Sequence, residues 1–159
     1  MMHLIEFQDS DNGLYNYASL LESINGGKYL WSIQGFEVIM KKDCARDCDF
    51  VEKSLESPYG YNLSWSDLLS SLCKIQQIID CIIVGSDHPV DLSEFDACEP
   101  IFPADKPIDP NETFEPGIYY FLQIVDGGLY ILATDDEIFL THFKEFFQKR
   151  KNVVIKEYY

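Results

Sequence analysis

At 159 residues, with 47% apolar and 14% aromatic side chains, the chain has enough buryable surface to fold despite its charge, and its length suits one domain over 1–159. Its 27 acidic residues against 12 basic ones leave a net charge of -15. A field of that sign repels phosphate backbones and anionic lipid, which argues against nucleic acid and membrane as partners, and attracts basic proteins in a salt-dependent way.

The elements follow in chain order. His3 to Phe7 reads as a first strand. Asp11 and Asn12 are candidate caps for a helix whose apolar residues Leu14, Tyr17, Leu21 and Ile24 recur at three- and four-residue spacing, and Asn25-Gly26-Gly27 ends it. Two apolar runs, Tyr29 to Ile33 and Phe36 to Met40, flank Gln34-Gly35, which suggests a tight hairpin. From Lys41 to Leu63 the pattern is polar and irregular. Ser64 and Asp67 then cap a second helix carrying Leu68, Leu72, Ile75 and Ile79 on one face.

Cys81-Ile82-Ile83-Val84 is apolar at every position, as a strand covered on both faces must be. Asp126-Gly127-Gly128 between Ile118–Val125 and Leu129–Ala133 is a strong hairpin signal. Thr134 and the acidic run 135–137 suit the positive end of a third helix, with Ile138, Phe139, Phe143, Phe146 and Phe147 on its apolar arc. Asn152 to Tyr159 alternates as a last strand. The expected fold class is therefore α+β: a single domain, mainly antiparallel, with about three helices packed on one face of the sheet.

Between Ser86 and Pro116 the composition changes. This stretch holds nine carboxylates against Lys106 alone, and six of the seven prolines. Proline removes backbone donors, so 86–116 reads as a long acidic, proline-rich loop without regular structure. A connection of that length in a compact domain is uncommon and calls for a role. Its interspersed Leu92, Phe95, Ile101, Phe102, Ile108 and Phe114 can anchor it on its own core or on another protein. Acidic side chains with aromatic anchors suit docking on a basic protein surface, which makes Asp91, Glu94, Phe95, Asp96, Glu99, Phe102, Asp105, Asp109 and Glu112 the expected partner-binding residues.

Motifs for chemistry are sparse. Ser86, Asp87 and His88 are hydrolase residue types, but three consecutive residues do not normally converge into a triad, and no Gly-x-Ser-x-Gly elbow exists. Cys44 and Cys48 with His88 and Cys98 are zinc-ligand types, yet the second pair is ten residues apart. His142 within an apolar arc reads as a packed histidine. Lys144, Lys149, Arg150, Lys151 and Lys156 read as a solvated helix end. No catalytic residue, metal or cofactor is therefore expected; the alternative is a small enzyme or ligand-binding domain with a polar cleft near Asp87, His88 and Cys98.

Five cysteines, an odd number, and an N-terminus without the apolar run of a signal peptide favour a cytoplasmic protein with free thiols. In size, in its charge of -15, in the Trp31 and Trp65 segments set in an α+β pattern, and in lacking catalytic motifs, the chain resembles the small acidic immunity proteins that bacteria keep beside toxins, and other small bacterial proteins. The resemblance implies a non-enzymatic inhibitor whose partner is a basic toxin or nuclease.

Overall fold

A computed structural model describes residues 1–10, 15–102, 109–150 and 152–158. In chain order these form β1 (His3–Asp9), α1 (Tyr17–Leu21), β2 (Leu30–Met40), α2 (Asp49–Glu56), β3 (Tyr61–Leu63), α3 (Trp65–Cys73), β4 (Ile75–Ser86), α4 (Pro110–Thr113), β5 (Ile118–Val125), β6 (Leu129–Thr134), α5 (Glu137–Gln148) and β7 (Val153–Tyr158). The strands make one sheet in the order β3-β2-β4-β5-β6-β1-β7. All its neighbours pair antiparallel.

Local chemistry explains the element ends. Ser64 accepts the Asp67 amide on its Oγ at 3.2 Å and so starts α3 where the sequence predicts it. Asp136 accepts the Phe139 amide at 3.0 Å and caps α5. Thr134, the expected cap, instead closes β6, its hydroxyl donating to the Tyr119 carbonyl at 2.7 Å. The β5–β6 connection, Asp126–Gly128 between the paired Val125 and Leu129, places Asp126 at φ 56° and Gly127 at φ 67°, left-handed conformations that aspartate and glycine tolerate. Asp80 of β4 holds that turn by accepting the Asp126 amide at 2.9 Å. Asn16 caps α1; the expected caps Asp11 and Asn12 lie outside the described residues.

Four expectations need correction. Gln34-Gly35 makes no hairpin: β2 runs through it to Met40, and the register against β4 shifts between Gln34 and Glu37. Gly35 is needed because φ is 62° and a Cβ there would stand 2.5 Å from that of Ala97. The irregular stretch 41–63 contains α2 and β3. Ile75 and Ile79 belong to β4 rather than to α3, which stops at Cys73. With strands waiting on both sides, the β-branched run from Ile75 pairs with β2 and β5 instead of extending the helix. Finally, the described residues hold five α-helical segments rather than about three, although of these only α2, α3 and α5 reach eight residues.

Alternation along the strands splits the buried residues into two cores. Ile5, Phe7, Ile83, Tyr120, Leu122 and Ile124 face the side covered by α1, α2, α3 and α5. Here Phe7 stacks on Phe147 at 4.7 Å and Trp31 on Trp65 at 4.8 Å. Leu4, Ile82, Val84, Phe121, Ile131 and Ala133 face the opposite side, and what covers them is the acidic segment itself, through Val90, Leu92, Ala97, Phe102 and Phe114. The expected placement of helices on one face is thus completed by an irregular lid on the other.

Candidate functional site

One polar residue ties the middle of the lid to the sheet. Gln123 sits in the middle of β5 on the same face as Phe121 and is fully buried. Its Oε1 accepts the Ile101 amide at 2.9 Å, while Nε2 donates to the carbonyls of Asp96 at 2.9 Å and Glu99 at 2.7 Å. One side chain therefore satisfies backbone groups on both sides of Ala97–Pro100, a stretch whose proline prevents sheet pairing. Around it Phe95 and Phe114 lie 5.5 and 4.7 Å from the Phe121 ring, and Phe102 packs edge-on to Phe114 at 6.0 Å.

Where the lid meets β2, a groove of about 720 Å³ opens. Its floor and walls come from Gln34–Val38 of β2, from Val51, Ser54 and Leu55 of α2, and from 93–98 of the lid. The apolar part is Phe36, Val38, Val51, Leu55, Phe95 and Ala97; the charged part is Glu37, Glu94 and Asp96. Ser54 fixes the α2 wall by accepting the Phe36 amide at 3.2 Å and donating to the Val51 carbonyl at 2.6 Å. Cys98 also lines the groove. Partial burial, and behind it the carboxylates of Asp80, Asp96 and Glu37, push its thiol up to about 11, so it stays protonated at neutral pH and is a poor nucleophile.

The predicted partner-binding residues divide by direction. Asp91, Glu94, Asp96 and Glu99 are all exposed on the lid. Asp91 and Asp96 also hold the backbone, accepting the Ser93 and Cys98 amides at 2.9 Å each. The Ser93 hydroxyl and amide keep the Asp91 carboxyl below its ordinary range. Phe95 is half-buried and Phe102 buried, so both anchor the lid on its own sheet. Asp109 caps α4, on which Glu112 is exposed; Asp105 lies outside the described residues. Glu37, Val51, Leu55 and Gln123 carry no site motif in the sequence. Phe50, Val51 and Ser54 do keep helical spacing, and a glutamine inside the apolar run Ile118–Val125 is the one break that marks Gln123.

Asp87, His88 and Cys98 are not one cleft: the groove lined by Cys98 includes neither of the others. His88 instead bridges two carboxylates, Nδ1 to Asp87 at 2.6 Å and Nε2 to Glu115 at 3.3 Å, while the Tyr119 hydroxyl donates to Asp87 at 3.2 Å. Ser86 donates its hydroxyl to the His88 carbonyl, not to the ring. This arrangement ties the start of the lid segment to its end. The bond to Asp87, then that to Glu115, raise the affinity of His88 for its proton, and His88 in turn holds Asp87 below the usual carboxylate range. The clasp therefore stabilises the fold fully below the ordinary imidazole pKa of ~6.5 as far as His88 is concerned, and weakens as pH rises through the elevated value. At the acid end it weakens as pH falls through the depressed value of Asp87. A proton NMR titration of His88 should give a midpoint above that of a free imidazole, shifting down in Glu115→Gln; a midpoint at or below the free value would refute the clasp.

The remaining candidates have structural roles. His142 donates from Nε2 to the Ser19 carbonyl of α1 across 3.1 Å. Lys144 pairs with Glu157 at 2.7 Å and Lys156 with Glu6 at 3.4 Å, while Arg150 lies 3.9 Å over the Tyr15 ring. Lys144 thus ties α5 to β7 and Lys156 ties β7 to β1, while Lys149 is exposed at the helix end and Lys151 lies outside the described residues. Among the described residues no three His, Cys, Asp or Glu side chains are placed to hold a metal ion, and no helix is long and apolar enough to cross a membrane. Comparison with protein-family models, curated proteins and solved structures finds nothing that matches this chain.

Proposed function

We propose that the chain is a non-enzymatic binding protein, a cytoplasmic inhibitor of the immunity type, that holds a basic protein such as a toxin or nuclease against its acidic lid. The supporting observation is presentation: Asp91, Glu94, Asp96 and Glu99 are exposed on a segment whose backbone is bonded to buried Gln123 and whose aromatic side chains are packed on the sheet. Charges fixed in place before encounter lose little entropy on binding and give electrostatic steering a defined target. The net charge of -15 adds long-range attraction for a basic partner.

Reversing Glu94 and Glu99 to lysine should slow association with such a partner by ~10-fold or more and flatten its dependence on salt. Folding stability should stay within ~0.5 kcal/mol of the parent, as is usual for exposed positions. Stopped-flow association rates at low and moderate ionic strength measure the effect. Rates that do not change would remove the lid from the mechanism.

A further inference from the structure

The groove between β2, α2 and the lid has a shape and chemistry more specific than an acidic surface. On the β3 side, β2 is paired only through Trp31–Ile33, so among the described residues no strand covers it from Gln34 to Met40. The groove occupies that open stretch, and its lining comes from both faces of the sheet: Phe36 belongs to the helical core, and Ala97 to the lid core. Leu55 is 67% exposed over it. Gln34 contributes an Oε1 that is buried and accepts no hydrogen bond. At about 720 Å³ the space lies within the range of sites that enclose a ligand group, ~300–1,000 Å³.

Resting on the reading of the chain as a binder of a basic protein, we propose that this groove receives a short basic segment of that partner, with one large apolar side chain seated between lysines or arginines. The anchor lies against Phe36, Val38, Val51, Leu55, Phe95 and Ala97, the flanking cations reach Glu37, Glu94 and Asp96, and one donor satisfies Gln34. Complementary charge selects this occupant. A second copy of the chain would bring its own Glu37 and a net charge of -15 to the same edge, and like charges facing each other across strands are unfavourable. The bulge at Gly35–Glu37 further protects the edge from pairing with itself.

The test uses a fluorescein-labelled peptide of about five residues, a tryptophan flanked by arginines, since tryptophan and arginine dominate such contacts. Its counterparts replace the tryptophan by alanine or the arginines by glutamate. Anisotropy should show the parent peptide binding ~10-fold or more tighter than either counterpart, a difference that Leu55→Asp, at an exposed position, and the pair Glu37→Lys with Glu94→Lys should each largely erase. Bound peptide should also slow alkylation of Cys98, which lines the groove, and leave Cys73, exposed outside it, unchanged. If the alanine counterpart binds equally, or Cys98 is not protected, the groove is not the seat of an anchor, while the basic-partner reading stands. Equal binding of the glutamate counterpart, or no binding of any peptide, overturns the groove proposal, and equal binding of the glutamate form overturns the basic-partner reading with it.

Discussion

Replacing Gln123 by leucine should cost about 3 kcal/mol of folding stability, from the loss of partners for the Ile101 amide and the Glu99 carbonyl and of one of the two donors to the Asp96 carbonyl. Leucine keeps most of the volume, so little of the loss comes from a cavity. The Ile101 amide and the Asp96 and Glu99 carbonyls have no strand to turn to, because Gln123 is what bonds them to the sheet. Solvent can reach part of this backbone once the lid lifts, which keeps the figure near the low end of ~1–3 kcal/mol per group. For a chain of this length such a loss lowers Tm by roughly 6–12 °C. Urea unfolding gives the energy, and hydrogen exchange should lose protection first at Ile101. Gln123→Glu should do worse at neutral pH, because it turns a carboxylate toward carbonyls that need a donor. A variant within ~1 kcal/mol of the parent, with exchange at Ile101 unchanged, would show that the lid is held by its aromatic contacts alone.

Phe121→Ala should cost about 4 kcal/mol, in the range of phenylalanine truncations in closed cores, since the ring is fully buried and carries both Phe95 and Phe114. Both this residue and Gln123 act on the same segment, so the double variant should lose less than the sum of the two; the first to go already frees the lid that the second would have held. A double-mutant cycle by urea denaturation measures that difference. Strict additivity would mean that the two contacts report on separate pieces of structure. Either single variant should also weaken association with a basic partner, through disorder of the carboxylates rather than loss of charge.

Which features could be read in advance follows from the range of the interactions involved. The β5–β6 hairpin was legible because a left-handed φ at Asp126 and Gly127 is a property of those residues. The α3 start was legible because Ser64 reaches Asp67 within one turn. The sequence marks β4 only at Cys81–Val84, because its first half, Ile75–Asp80, shares helical spacing with Leu68 and Leu72 and becomes strand only when β2 lies beside it. Gln34-Gly35 carries the residues of a turn, yet in place it makes a bulge, since β4 continues alongside and keeps β2 extended. At the candidate site, the acidic residues of the lid were evident from composition, while Glu37, Val51 and Leu55 are brought to them by pairing and packing across long sequence separations.

By itself the sequence determined the α+β class, the hairpin, the cap of α3 and the concentration of carboxylates and prolines over 86–116, all of which rest on local backbone preference or on composition. Tertiary structure alone decided what that segment does. Its aromatic side chains could have faced a partner or the sheet, and they turned inward because α1, α2, α3 and α5 cover only the other face and leave Leu4, Ile82, Val84, Phe121, Ile131 and Ala133 to be buried by this segment. Burial of that face, with Gln123 supplying the bonds that proline denies, fixes the described part of the lid with Asp91, Glu94, Asp96 and Glu99 exposed.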